Sequence, residues 1–175
     1  PPEFQWLRTP HPERLFQLTG SALRLTARES LGSFFEQSLV GRRQEDFRYR
    51  AETRLDFDPV TYQQSAGLTT YYNRHKYHFV GITHEEGYGR CLTIISSAGD
   101  WPDAVLVYPL AEPVKLEPGP VELAVEVDHA RQHDYGQVGL VLLRARVAQR
   151  QDLVGRRRQP HDAFAVQVAG GIDIA

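Results

Sequence analysis

The sequence predicts an all-β fold, an antiparallel two-sheet sandwich of the jelly-roll type. Two observations predict it. One is an unbroken alternation of apolar and charged residues from Phe47 to Phe57. The other is a series of short β-branched and aromatic runs separated by turn signals about every 8–12 residues.

In the first run Phe47, Tyr49, Ala51, Thr53, Leu55 and Phe57 alternate with Arg48, Arg50, Glu52, Arg54 and Asp56. Successive strand side chains point to opposite faces, so this period of two describes a strand with one wet face. A register slip of one residue would bury three arginines. Phe47, Tyr49, Leu55 and Phe57 are therefore expected inward, and Arg48, Arg50 and Arg54 outward. Val121 to Asp128 repeats the pattern, with Ala124 the only apolar residue on its polar side. Leu23–Leu25, Leu68–Tyr72, Tyr77–Thr83, Cys91–Ile95 and Val105–Tyr108 are shorter strand candidates. Turn signals stand between them at Thr19-Gly20-Ser21, Asp58-Pro59, Tyr72-Asn73-Arg74, Glu85-Glu86-Gly87, Ser97 to Pro102 and Glu117-Pro118-Gly119-Pro120. The only competing helix, Glu29 to Val40, is short and interrupted by Ser and Gly.

The chain has 175 residues, enough for one domain that buries about 70% of its unfolded surface without a disulfide or metal staple. Lys plus Arg is 20 against 22 for Asp plus Glu, a net charge of −2 that argues against a dedicated nucleic-acid binder. No apolar run approaches the ~20 residues of a membrane helix. One cysteine, Cys91, excludes an internal disulfide and a cysteine-rich zinc site. The opening Pro1-Pro2-Glu3, with no methionine anywhere, points to a processed product or a piece of a longer chain. Seven arginines lie between Arg131 and Arg158, and exposed loops and edge strands account for them best.

Chemistry-bearing constellations are sparse. His75 and His78 would face opposite sides of a strand, and His84 with Glu85 and Glu86 falls in a turn signal, so no metal site is expected. Arg90 could lower the pKa of Cys91, but an apolar strand follows it and a buried inert thiol is favoured. There is no Gly-x-Ser-x-Gly elbow, phosphate loop or dinucleotide fingerprint. Asp56, Asp58, Asp100 and Asp103 fall at strand ends or turns and form no evident glycosidase pair. Aromatic residues are the better lead: Tyr71, Tyr72, Tyr77, Phe79 and Trp101 have the faces that grip sugars. Packing between the two sheets is the favoured role for Tyr71, Tyr77 and Phe79.

A series of strings then becomes informative: Leu23-Arg24-Leu25, Glu29-Ser30-Leu31, Gln37-Ser38-Leu39-Val40, Arg42-Arg43-Gln44, Ala51-Glu52-Thr53, Leu55-Asp56-Phe57, Gln64-Ser65-Ala66-Gly67-Leu68 and Tyr71-Tyr72-Asn73. In this order they resemble the C-terminal concanavalin A-like domain of glycoside hydrolase family 43 β-xylosidases, most closely from Trp6 to about Asp128. Trp6-Leu7-Arg8-Thr9-Pro10 looks like the family's start of that domain, just after its catalytic propeller. The resemblance implies one accessory sandwich over residues 1–175, with the catalytic Asp and Glu residues upstream and none here. It implies no cofactor and no metal. The implied partners are the propeller, xylo-oligosaccharide through the parent enzyme, and homo-oligomer contacts, with neither nucleic acid nor membrane. A bacterial cytoplasmic location is expected over a secreted one.

Gln37, Arg42, Arg43, Gln44, Gln64, Tyr71, Tyr72 and Asn73 match the family best and are the expected packing and interdomain residues. Substrate-binding residues are not assigned. After Asp128 the resemblance weakens until Gln151 to Arg157 and Asp162-Ala163-Phe164, and the family's pocket-closing phenylalanine has no clear counterpart. The parent is thus expected to be an inverting β-xylosidase or a sibling α-L-arabinofuranosidase. The alternative is an autonomous carbohydrate-binding module.

Overall fold

The computed structural model describes residues 3–97, 99 and 105–128, with the backbone of three further strands between 140 and 169. In chain order the strands are β1 (Phe4–Trp6), β2 (Phe16–Thr19), β3 (Ala22–Leu25), β4 (Ser38–Arg42), β5 (Arg48–Leu55), β6 (Ser65–Asn73) and β7 (Lys76–Glu85). There follow β8 (Gly89–Ser97), β9 (Leu106–Val107), β10 (Val114–Lys115), β11 (Val121–Asp128), β12 (Leu140–Val147), β13 (Gln151–Arg158) and β14 (Ala163–Ala169). The only helical element among the described residues is a 3-10 turn, Pro12–Arg14. The stretch that competed as a helix is a loop running into β4.

Two antiparallel sheets form the sandwich. The larger runs β1-β4-β14-β6-β7-β8, and the far edge of β8 is shared: β10 pairs with Cys91 and Leu92, β9 with Ser96 and Ser97. The smaller runs β13-β12-β11-β5, and β2 and β3 form a separate hairpin. Gly20, at φ 60°, turns that hairpin, where a Cβ would be strained.

The period-two strands pair with each other, with Leu55 opposite Val121 and Arg48 opposite Asp128 at the two ends. Their inner row brings Ala51, Leu55, Val121, Leu123, Val125 and Val127 to the core, facing Ala66, Leu68, Val80, Ile82, Leu92 and Ile94 of the large sheet. Arg48, Arg50 and Arg54 lie outward as expected, and Arg50 meets Glu126 and Arg48 meets Asp128 at 2.9 Å. Opposite charges at directly facing positions stabilise the pairing. Phe47 is the correction. It is 76% exposed, because the described ladder ends at Arg48 and Asp128 and the inner rows end at Tyr49 and Val127.

The large sheet is buried on both faces along its central strands β6 and β7. Its outer face carries a second cluster, Leu39, Tyr71, Tyr77 and Phe79, covered by Leu31 with Leu7 and Ile95 against it. Tyr71, Tyr77 and Phe79 are thus buried, but outside the space between the sheets where they were expected. This explains why β6 and β7 are nearly continuous runs of apolar and small residues: neither face is left to water. Gly67 and Gly81 face each other across those strands, and a Cβ at Gly81 would overlap the Phe79 ring.

Candidate functional site

The outer face of the large sheet is roofed by the loop between β3 and β4, and one side chain holds that roof. Gln37 is fully buried. Its amide donates to the carbonyls of Ser30 (3.0 Å), Leu31 (2.7 Å) and Ser33 (2.9 Å), and its Oε1 accepts the Tyr71 hydroxyl at 3.4 Å. A buried carboxamide satisfied this way fixes the loop that it reads. Further bonds tighten the turn. Ser33 N–H donates to Ser30 O (3.0 Å), Ser33 Oγ donates to the Glu29 carboxylate, and Phe35 N–H donates to Ser33 Oγ (3.0 Å). Arg8, in the left-handed region at φ 62°, donates from Nη1 to Ser33 O at 3.1 Å. Glu36 is clamped by Arg14 at 3.1 Å and Arg28 at 4.0 Å.

This loop presents two adjacent phenylalanines to solvent: Phe34 is 66% exposed and Phe35 73%. The Arg74 guanidinium lies 2.9 Å from the Phe34 ring centroid, a cation–π contact. Beneath the roof Tyr71 and Tyr77 stack with centroids 6.3 Å apart. Burial pushes both phenols up. Tyr77 reaches about 12, helped by the neighbouring Tyr108 and Tyr71, while Arg8 works against the rise at Tyr71.

The other expected positions are dispersed. Arg42 pairs with Glu45 at 2.9 Å, Arg43 reaches Gln5 Oε1 at 3.4 Å, and Gln44 donates to Asp46 O at 2.8 Å, all at or just beyond the end of β4 and sharing no partner with Gln37. Gln64 is buried and caps a turn, its Oε1 accepting Val60 N–H (2.7 Å) and Thr61 N–H (3.3 Å). Asn73 closes the β6–β7 hairpin by accepting the N–H groups of His75 (2.7 Å) and Lys76 (2.9 Å). Tyr72 is exposed. Only Gln37 and Tyr71 are brought into one constellation.

Arg90 does not activate Cys91. Its guanidinium is buried and donates to the carbonyls of Phe57 (3.1 Å), Glu117 and Gly119 (2.7 Å). Burial pushes the Cys91 thiol up, the direction of an inert thiol. His78 is buried with Nδ1 3.0 Å from Ser96 Oγ. No group of three or more potential metal ligands occurs among the described residues, and no helix among them is long and apolar enough to cross a membrane. Trp101, Asp100 and Asp103 lie outside the described residues, as do the side chains of the basic stretch and of Phe164.

Phe34, Phe35, Arg8 and Arg74 escaped the sequence reading. The available signal was two adjacent phenylalanines after Gly32-Ser33, in a stretch with no apolar period to absorb them.

The sequence pattern that defines the β-xylosidase C-terminal concanavalin A-like domain of family GH43 matches residues 1–140. The chain belongs to that family. This GH43 C-terminal domain is 42% identical over 127 residues to xylosidase/arabinosidase 43B of Humicola insolens, covering 71% of this chain and 24% of that one. It is 42% identical over 93 residues to a β-xylosidase of Bacillus subtilis (strain 168), covering 52% of this chain and 17% of that one. Among solved structures, a xylan β-1,4-xylosidase from Bacillus halodurans C-125 matches 96% of this chain and 33% of its own, with 26% identity and a TM-score of 0.77. The GH43 domain therefore spans a quarter or less of these curated relatives, and its structural neighbours carry it as part of larger GH43 chains.

Proposed function

We propose that this GH43 domain is the accessory sandwich of a xylan-degrading β-xylosidase or α-L-arabinofuranosidase. In this reading it packs on a catalytic propeller, helps shape that enzyme's exo-acting sugar pocket, and carries no catalytic carboxylate of its own. The observation that carries the reading is the family match over residues 1–140 in a chain that spans only a quarter of its relative from Humicola insolens. The relatives' own activities, as xylosidase and arabinosidase, suggest the substrate class.

The test has two arms. The purified chain should release no nitrophenol from aryl β-xylosides or α-L-arabinofuranosides, while a full-length enzyme carrying it should do so. Deleting the domain from that enzyme should lower its melting temperature and its turnover together. Turnover by the chain alone, abolished by a carboxylate substitution within it, would overturn the reading. So would xylan binding by the isolated chain with no effect of deletion on the enzyme, which is the behaviour of an autonomous carbohydrate-binding module.

A further inference from the structure

The structure assigns the docking anchor: we propose that the Ser30–Gln37 loop fastens this domain to the catalytic portion of its GH43 enzyme. Phe34 and Phe35 enter an apolar recess there, and carboxylates on the rim of that recess face Arg8 and Arg74. The proposal rests on the accessory-domain reading above.

Four observations converge on this loop. Its shape is set in advance by the buried Gln37 amide on three carbonyls and by Arg8 on Ser33 O. Docking therefore orders no loose segment, which removes a large part of the usual cost of association. Its tip holds two large apolar side chains in sequence, 66% and 73% exposed. Large exposed aromatics on a rigid support are the usual anchors of protein interfaces.

Charge supplies the third. Arg14 and Arg28 are matched to Glu36, and Arg42 to Glu45. Arg8, bonded to Ser33 O, and Arg74, over the Phe34 ring, have no carboxylate partner among the described residues. Two guanidinium groups without a carboxylate partner among the described residues, beside an apolar tip, call for an acidic rim on the partner. The fourth is position. Arg8 belongs to the Trp6-Leu7-Arg8-Thr9-Pro10 stretch, where the family resemblance sets the junction with the propeller, and it is bonded to the loop itself. A tether beside the anchor keeps the two partners at high effective concentration.

The experiment uses a full-length enzyme with a protease site inserted in the linker before Trp6. After cleavage, size-exclusion chromatography with light scattering shows whether the two halves stay together. The wild-type halves should co-elute, and those of the Phe34→Ser/Phe35→Ser variant should separate on dilution, each truncation weakening association by about 30-fold. Trp fluorescence and circular dichroism check that the variant domain is folded. If it is not, Arg8→Glu/Arg74→Glu provides the same test through charge: it should release the halves at low salt, whereas Arg74→Lys should not. Co-elution of wild-type and both variant pairs alike would overturn the anchor and leave the accessory reading standing. Separation of the wild-type halves would overturn the packing reading and the anchor with it. Variant halves that stay joined while a dimer falls to monomer would overturn the proposal in favour of a second copy as occupant.

Discussion

Tyr77 is a phenol taken out of water and laid on Tyr71, and its pKa rises from 10.0 to about 12. In the unfolded chain the same phenol ionises near the ordinary value. Between about pH 10 and 12 the unfolded chain therefore binds fewer protons than the folded one, so stability falls as pH rises through that window. Below it the contribution is complete. Urea titrations from pH 8 to 11.5 should show this alkaline loss in the wild type and a smaller one in Tyr77→Phe, where the raised Tyr71 and Cys91 remain. Parallel profiles would contradict the assignment. The residue scale is also where the sequence was least legible. Gln37 could be singled out by family likeness, but its three carbonyl acceptors depend on a loop conformation that no periodicity encodes. Arg90 reads in sequence as the neighbour of a thiol. Only the folded chain shows that three distant carbonyls surround it.

Strands β5 and β11 could be read almost to the residue because each has one face in water and one in the core. Alternation is the direct record of that asymmetry. Strands β6 and β7 have no wet face over most of their length, so apolar residues mix with buried Thr69, Thr70 and His78 without alternation, and the pattern gives no hint of which side chain belongs to which layer. The glycines do. Gly81 is vacant of side chain because the Phe79 ring occupies the space above it, and its own Cβ would also meet the Ala66 carbonyl. Gly81→Ala should cost about 1–3 kcal/mol of overpacking, a fall of roughly 2–10 °C in melting temperature for a chain of this size. Gly32→Ala is the matched control, since a Cβ there meets nothing within 4 Å and its φ is not positive. Thermal melts in which both variants behaved alike would refute the packing argument. Short elements such as β1 and β10 left no trace in the sequence, because two or three residues cannot display a period.

At the scale of the whole molecule, the jelly-roll arrangement followed from strand count and turn spacing, whereas the double burial of the large sheet did not. That sheet needs a roof of irregular chain, and irregular chain is what pattern reading handles worst. The sandwich is also closed by a late strand. β14 lies between β4 and β6, pairing Val166 with Val40 on one side and Leu68 on the other. Truncation after Arg158 should therefore cost more than a surface deletion, yielding a chain that binds a hydrophobic dye and aggregates on purification. A truncated chain with the wild-type melting profile would show that β14 is dispensable.

The place of β14 has a consequence in time. As the polypeptide leaves the ribosome, β1 and β4 emerge first and β6, β7 and β8 can zip into hairpins soon after, but the two groups have no ladder in common until residues 163–169 arrive. Until then β4 and β6 each offer an unsatisfied edge, the kind of template on which nascent chains pair wrongly with one another. Closing the gap joins β14 to positions in β6 and β4 that lie 92 to 130 residues back along the chain, which places this step among the slow, non-local events of β-folding. The pace at which the domain matures, and its appetite for chaperones, would then be set by its last strand and not by its well-patterned early ones.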